Sequence, residues 1–318
     1  MEDAGSGECE GVVNNKRGYD MKFKDRLKQW WKKIWAWFEV PDPNEQDDDP
    51  TPEPMPEPIP PEPVPTYGEK QIAASWENNA AWREHNELSD KVSIVSFRRH
   101  VDEKKARGCN TINLYLMNQK DGFPRPTSFY AGGKFGGAVD QARLDRMEQK
   151  IDYAYSVGMQ INFWMLPDNG GIPYKDKARI KSYFEDCWEC LGDRIKRATY
   201  LVPCLESNEV FSKREYIDEY AEELHKLFRP AKIANHMTSG KSNWSEECPY
   251  VDVHFHQVNP RKSVAACKKE LKQVVAGCIK PVLACEFCLS GKSDEARQKA
   301  KDALAVGCIG VHSGVPKS

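Results

Sequence analysis

The chain has 318 residues, enough for one large domain with additions or for two small domains. Hydrophobic residues make up 40% of it and aromatic residues 10%, a proportion that can build a core for about 200–250 residues. The formal net charge is -2, so the chain has no overall basic excess of the kind that binds nucleic-acid phosphates. We therefore expect a globular protein without a nucleic-acid partner.

The first 66 residues divide into three segments that differ in composition. Residues 1–20 are rich in glycine and charge, and we predict that they are disordered. Within residues 21–40, apolar side chains recur at helical spacing from Phe23 to Phe38, with Lys and Arg at most other positions. Such a basic, Trp-rich helix suits an anionic membrane surface, a groove on a partner protein, or packing on the globular domain.

Residues 41–66 alternate Pro with Glu, which favours an extended polyproline spacer, with a plain disordered tail as the alternative. The first twenty residues contain no apolar segment typical of a signal peptide. We therefore expect cytoplasmic synthesis, with release by cell lysis or carriage on a particle such as a virion.

The sequence contains eleven cysteines at irregular spacing, which does not resemble a small disulfide framework. We predict mostly free thiols. Cys187 and Cys190 have the CxxC spacing of zinc ligands, as do Cys285 and Cys288. The first pair falls inside a predicted helix and the second straddles the end of a predicted strand, so we expect no metal site.

Short apolar runs alternate with helical patterns from residue 67 to residue 318. The predicted strands are 71–76, 111–117, 160–166, 199–206, 231–236, 251–255, 281–286 and 308–312. The predicted helices are 93–107, 144–157, 177–197, 213–228, 264–276 and 293–306, and four of them are followed by glycine, which commonly ends a helix. This alternation predicts an α/β fold, a (β/α)8 TIM barrel over residues 67–318. An open doubly wound sheet is the alternative, but no Gly-rich phosphate motif follows the first strand.

The active site of a (β/α)8 barrel lies at the C-terminal ends of its strands. Carboxylates, amides, imidazoles and a tryptophan occupy those ends here: Trp76, Asn78, Asn118, Asp168, Glu206, Asn208, Glu209, His236, His254, Glu286 and His312. Amides and imidazoles can bind sugar hydroxyls, and Trp76 or Trp244 could stack on a pyranose ring. We expect His254 and His256 on opposite faces of their strand, with His254 in the site and His256 at the rim.

Cleavage of a glycosidic bond needs two carboxyl groups that flank the bond. Carboxylates that end the fourth and seventh strands would face each other across the barrel mouth. Two motifs there, Ser207-Asn208-Glu209 and Ala284-Cys285-Glu286, resemble the clan A glycoside hydrolases, and especially the family 5 cellulases and mannanases. The stretch Ala106–Ile112 is similar to the family's entry to strand 2, and the resemblance extends over about residues 70–318.

The resemblance implies a retaining endo-β-glycosidase that acts on a β-mannan or β-glucan without a metal or an organic cofactor. It implies Glu209 as general acid and base, Glu286 as nucleophile and Asn208 as a ligand of a sugar hydroxyl. Glu206 is the alternative acid, because Glu209 could instead be the first-turn carboxylate of the next helix. Asn113 stands where the family has Arg, so a non-catalytic glycan-binding barrel, displayed on a cell or virion surface, is the alternative function.

Overall fold

The computed structural model describes residues 70–73, 87–117, 127–167, 172–211, 213–238, 243–286 and 293–312. All of them belong to a compact unit that runs from Pro61 to Ser318. The predicted tail, Trp-rich helix and linker of residues 1–66 lie outside the described residues. Among the helices that are described, none combines the length and the apolar character that crossing a bilayer requires.

Strands and helices alternate along the described chain. The strands are β1 Gln71–Ile72, β2 Thr111–Tyr115, β3 Gln160–Trp164, β4 Tyr200–Val202, β5 Lys232–Thr238, β6 Val253–Gln257, β7 Val282–Cys285 and β8 Gly310–Val311. The helices are α1 Ile94–Ala106, α2 Gln141–Ser156, α3 Lys177–Ile195, α4 Ser207–Val210, α5 Glu215–Phe228, α6 Asn243–Glu247, α7 Val264–Gly277 and α8 Ser293–Ala305. The eight predicted strands and the six predicted helices are confirmed, whereas the short helices α4 and α6 were not predicted.

All paired strands are parallel, in the order β1-β8-β7-β6-β5-β4-β3-β2. A single parallel bridge between Ala73 and Thr111 joins β1 to β2 and closes the barrel. Asn110 reinforces this seam from the chain just before β2. Its Oδ1 accepts from the Ile72 amide at 2.8 Å, and its Nδ2 donates to the Lys70 carbonyl at 2.8 Å. The (β/α)8 prediction is therefore confirmed.

Side chains alternate between the two faces of the strands, because the side-chain period of a strand is two. On β7, Val282 and Ala284 pack outward in the cluster between sheet and helices, while Leu283 and Cys285 belong to the cluster inside the barrel. The same alternation places Tyr115 and Trp164 inside. This second cluster fills the cylinder, so the C-terminal ends of the strands are left as the place for a site.

Local signals explain where the helices begin and end. Side chains of Ser or Asp cap the first turns of α1, α2, α3 and α7 by accepting a backbone N–H three residues on. The turn after α1 uses Gly108 at φ 81°, a left-handed conformation that glycine adopts at little cost. The cap predicted at Gly277 is not of this kind, since α7 continues through that residue.

Gly310 on β8 allows a close approach inside the barrel. A Cβ atom there would meet the Gln71 carbonyl oxygen at 2.6 Å and its Cβ at 2.8 Å. We expect Gly310→Ala to destabilise the barrel by about 1–3 kcal/mol through overpacking and to lower Tm by several degrees. Gly277→Ala is the matched control, because nothing lies within 4 Å of its added Cβ. Equal melting temperatures for the two variants in a calorimetric scan would contradict the prediction.

All nine cysteines within the described residues are free thiols, as predicted for them. Burial raises the pKa of the Cys109, Cys187 and Cys285 thiols above the usual value. These thiols therefore stay protonated and behave as small apolar side chains. Cys187 lies in the middle of α3 and is fully buried.

Candidate active site

Aromatic rings line the inside of the barrel below its C-terminal mouth. Trp164 of β3 stacks on Tyr115 of β2, with ring centroids 5.4 Å apart, and meets the edge of His236 of β5 at 4.9 Å. Phe255 of β6 meets His312 of β8 edge-on at 4.9 Å. His236 and His312 were both predicted for the site, and both lie on the inner face of the barrel. The rings form a rigid base on which the strand ends are held.

A buried network of amides occupies the β1, β2, β3 and β8 side of the interior. Asn162 Nδ2 lies 3.1 Å from Gln71 Oε1, 3.1 Å from Asn113 Oδ1 and 3.2 Å from His312 Nε2. His312 Nδ1 in turn lies 3.7 Å from Cys285 Sγ, next to Glu286. An amide nitrogen carries two hydrogens and can only donate, so it can satisfy two of these three acceptors. When it donates to His312, Nε2 accepts and the neutral ring carries its proton on Nδ1. Burial lowers the pKa of His312 to about 3, so this ring is neutral.

Glu206 follows the end of β4 and reaches across the barrel mouth. Its carboxylate Oε1 accepts a hydrogen bond from Gln257 Nε2 at 2.8 Å, so the side chain spans from β4 over β5 to the end of β6. Its backbone N–H donates to His236 Nδ1 at 2.9 Å. A backbone N–H can only donate, so His236 accepts through Nδ1 and carries its proton on Nε2 when neutral. Glu206 is half-buried and held at two points.

Glu286 directly follows Cys285, the last residue of β7, whereas Glu206 lies four residues beyond Val202, the last residue of β4. Among the described residues other than glycine, these two glutamates are the ones with positive φ, at 47° for Glu206 and 50° for Glu286. The left-handed conformation costs a residue with a Cβ roughly 1–2 kcal/mol. At Glu286 the left-handed conformation also interrupts the alternation of side chains between the two faces of β7. With that alternation unbroken, Glu286 would lie on the outer face together with Ala284. Strained backbone is typically retained where function requires it.

Strand register relates the two glutamates through Gln257. Gln257 is paired with Cys285 across β6 and β7, and Glu286 is the next residue after Cys285. The Gln257 amide, in turn, donates to the Glu206 carboxylate. Glu206 is therefore in contact with the end of β6, and Glu286 follows the residue that is paired with that end. Cleavage of a glycosidic bond requires two carboxyl groups that flank the bond, and these two glutamates are the candidates at this edge of the barrel.

Glu209 and Asn208 lie on the single turn of α4. Glu209 is exposed to solvent on that turn, ahead of α5, the helix whose first turn was its alternative position. Asn208 uses both ends of its amide on Thr238 at the end of β5: Nδ2 donates to Oγ1 at 2.5 Å and Oδ1 accepts from the backbone N–H at 2.8 Å. The geometry therefore gives Asn208 the role of fixing α4 against β5.

The expectation that His254 lies in the site and on the opposite face from His256 is wrong. Residues two apart on a strand share a face, and both imidazoles point outward and are buried. His254 Nδ1 lies 2.8 Å from Ser245 Oγ on α6, and His254 Nε2 lies 3.2 Å from His256 Nδ1. His256 Nε2 lies 3.0 Å from Glu270 Oε1 on α7. The two histidines thus tie the sheet to its outer helices.

Trp244 of α6 is partly buried against the hydrophobic cluster between sheet and helices, so the structure places it in the outer layer rather than with the glutamates. Four further predicted site residues lie outside the described residues: Trp76, Asn78, Asn118 and Asp168. Two residues at the centre of the site, Trp164 and Gln257, were missed. Period-two alternation along Gln160–Trp164 and along Val253–Gln257 would have placed both on the inner face.

The side chains of the described residues show no grouping of three or more His, Cys, Asp or Glu able to hold a metal ion. The chemistry that these side chains themselves offer at the strand ends consists of two carboxyl groups, a carboxamide and a neutral imidazole. Carboxyl groups can transfer protons and attack an electrophilic carbon, while amide and imidazole groups orient them.

The structure is similar to solved glycoside hydrolases. With a family 5 glycoside hydrolase from Bacteroides vulgatus ATCC 8482 it shares a TM-score of 0.57 at 12% sequence identity, over 77% of this chain and 57% of that chain. With a putative glycoside hydrolase from the same bacterium the TM-score is 0.54 at 12% identity, over 79% of this chain and 52% of that chain. The chain thus spans little more than half the length of these two proteins.

The β-mannanase of the blue mussel Mytilus edulis gives a TM-score of 0.52 at 10% identity, over 76% of this chain and 85% of that chain. No protein-family model and no curated protein matches the sequence. At these identities the comparisons establish the fold. The chain therefore has the (β/α)8 barrel fold of these glycoside hydrolases, as the resemblance in its sequence implied.

Proposed function

We propose that this barrel is a glycoside hydrolase. It cleaves an O-glycosidic bond of a sugar chain that binds between the side chains of Glu206 and Glu286. The observation that carries the proposal is the backbone at the ends of β4 and β7, where both glutamates adopt the costly left-handed conformation. A residue that only caps a strand gains nothing from that conformation, and asparagine or glycine would adopt it at lower cost. The resemblance of the motifs and the fold of the structural neighbours support the same activity.

In the proposed reaction, Glu286 attacks the anomeric carbon as its carboxylate and forms a covalent glycosyl-enzyme. Glu206 donates a proton to the departing glycosidic oxygen in this first step. It then removes a proton from the water that attacks the glycosyl-enzyme, so the sugar is released with its original configuration. Attack by Glu286 breaks the glycosidic bond, and attack by water restores the free Glu286 carboxylate.

The assignment of the acid to Glu206 rather than to Glu209 rests on position. A general acid must stand within hydrogen-bond reach of the leaving oxygen. Glu206 is half-buried and accepts a hydrogen bond from Gln257 at the end of β6, whereas Glu209 is exposed on α4. This position supports the assignment of the acid to Glu206.

For the substrate we propose a β-linked polysaccharide of the mannan or glucan type. The motifs resemble those of the family 5 cellulases and mannanases, and the mussel protein of similar fold is a β-mannanase. The inner wall of the site carries indole, phenol and imidazole groups, which suit the apolar faces and the hydroxyl groups of a pyranose.

The test compares the full chain with its Glu286→Gln variant on β-mannan, mixed-linkage β-glucan and cellulose. We expect the parent to release reducing sugars from at least one polymer and the variant to lose at least about 1,000-fold of that rate, because an amide cannot attack the anomeric carbon. Proton NMR of the first product should show the original anomer. Undiminished release by the variant would rule out Glu286 as nucleophile.

Affinity electrophoresis on the same polysaccharides distinguishes a hydrolase from the alternative function, which is glycan binding without cleavage. A parent chain that is retarded by a polysaccharide but never releases sugar from it would be a glycan-binding module. The opposite anomer in the first product would mean that water, and not Glu286, attacks the sugar. In that case the two carboxyl groups should stand further apart, at about 6.5–9.5 Å.

A further inference from the structure

Gln257 contacts Glu206, the proposed acid. The reaction proposed above gives Gln257 no role. It ends β6 on the inner face, above Phe255, and its Nε2 donates to Glu206 Oε1 at 2.8 Å. Its own Oε1 is buried and has no hydrogen-bond partner among the described residues. The Nε2 end of the amide thus donates to the acid, and the Oε1 end remains available as a hydrogen-bond acceptor.

A glutamine suits a carboxyl group that must alternate between two protonation states. The ionised carboxyl only accepts hydrogen bonds, and the Gln257 Nε2 donates to it. The protonated carboxyl carries an O–H donor, and rotation of the amide about its last side-chain bond brings Oε1 into the place of Nε2 as an acceptor. Because Oε1 has no partner among the residues that the structure describes, this rotation breaks no second hydrogen bond with them.

We propose, on the basis of the function proposed above, that Gln257 is the positioning residue of Glu206: it holds the carboxyl over the cavity and follows its proton by rotation of the amide. His236 holds the backbone of the same residue by accepting the Glu206 N–H at Nδ1. The side chain is therefore oriented from β6 and the main chain from β5. Both contacts are made within the protein, so the role is one of orientation and of proton affinity.

The test is the pH dependence of kcat/KM for the full-length Gln257→Met variant on the polysaccharide that the parent cleaves. Methionine keeps the length of the side chain and removes the donor to the ionised carboxyl. Loss of that donor favours the protonated form of Glu206, so the basic limb should move up by about half to one pH unit. The acidic limb, which reports Glu286, should stay in place. We also expect kcat to fall by about tenfold, with KM nearly unchanged.

Gln141→Met is the matched control. Gln141 also donates its amide to a carboxylate, Asp145 Oδ1 at 2.7 Å, but on the exposed surface of α2. Its pH profile should coincide with that of the parent. Gln257→Glu is the second variant, should the methionine variant fail to fold. Two carboxyl groups at hydrogen-bond distance share a proton, so its basic limb should move further up than that of the methionine variant.

The outcomes separate this inference from the proposed function. A parent that cleaves none of the polysaccharides refutes the proposed function itself. An active parent whose basic limb stays fixed in both Gln257 variants, while Glu206→Gln abolishes cleavage, refutes the positioning role alone. A shift of the basic limb in both Gln257 variants and not in the Gln141 variant supports it.

Discussion

Replacement of Glu206 by glutamine is expected to lower kcat/KM on a polysaccharide by about 100- to 10,000-fold, the contribution that general acid–base catalysis typically makes. Glutamine has nearly the shape of glutamate and cannot transfer a proton. A sugar with an acidic leaving group, such as a dinitrophenyl glycoside, needs no proton in the first step. For this substrate we expect kcat/KM to fall by less than about tenfold and KM to fall as the glycosyl-enzyme accumulates.

Glu209→Gln provides the matched control, three residues along the chain and with the same change in charge. Because Glu209 is exposed on α4, we expect kcat/KM to stay within about twofold of the parent on both substrates. Steady-state rates of the two variants on the polymer and on the aryl glycoside decide between the residues. If the effects were reversed, Glu209 would be the acid, and α4 would have to turn towards the mouth when substrate binds.

Acidification from pH 7 to pH 5 is expected to cost the barrel about 4 kcal/mol of its free energy of unfolding. Burial, and then the neighbouring His256 and His236, lower the pKa of His254 from 6.5 to about 3. Burial, and then Lys104, lower that of His312 to about 3. Each histidine is neutral in the folded chain and becomes protonated near pH 6.5 when unfolded. Their stabilisation is complete above pH 6.5 and is lost as the pH falls from 6.5 towards 3, by about 2 kcal/mol each at pH 5.

Urea unfolding at a series of pH values measures this effect. In His254→Gln the free energy of unfolding should fall less steeply between pH 7 and pH 5, although it is lower at pH 7 because Ser245 and His256 lose a partner. His225→Gln is the control, because it removes a histidine that lies near the surface on α5. A parent free energy that stays constant between pH 7 and pH 5 would contradict the prediction.

The fold was predictable from the sequence because its signals are local and repeated. Apolar runs of strand length alternate with helical patterns, and glycine follows helices such as α1 at Gly108. The barrel adds a long-range rule, that the ends of all strands meet on one face, which directed attention to the residues that follow β4 and β7. That rule identified Glu286 as the candidate nucleophile after β7. For the acid it left two candidates after β4, Glu206 and Glu209.

The remaining errors arise where local periodicity no longer decides. β4 ends at Val202, four residues before the left-handed backbone at Glu206, so counting residues from the strand cannot place Glu206 or Glu209. Gln257 acquires its role from a carboxylate two strands away, a contact that no spacing within β6 contains. His254 was misplaced for a different reason, because the rule that residues two apart share a face was applied in reverse.

The left-handed backbone of Glu206 and Glu286 creates a conflict between stability and catalysis at these two positions. Stability favours glycine or asparagine there, whereas the proposed catalysis requires glutamate. Random substitution followed by selection for thermal resistance alone would favour glycine or asparagine at both. If related proteins retain glutamate at both positions, selection for catalytic activity has therefore continued. Drift to glycine or asparagine would mark a descendant that keeps the barrel as an inert scaffold.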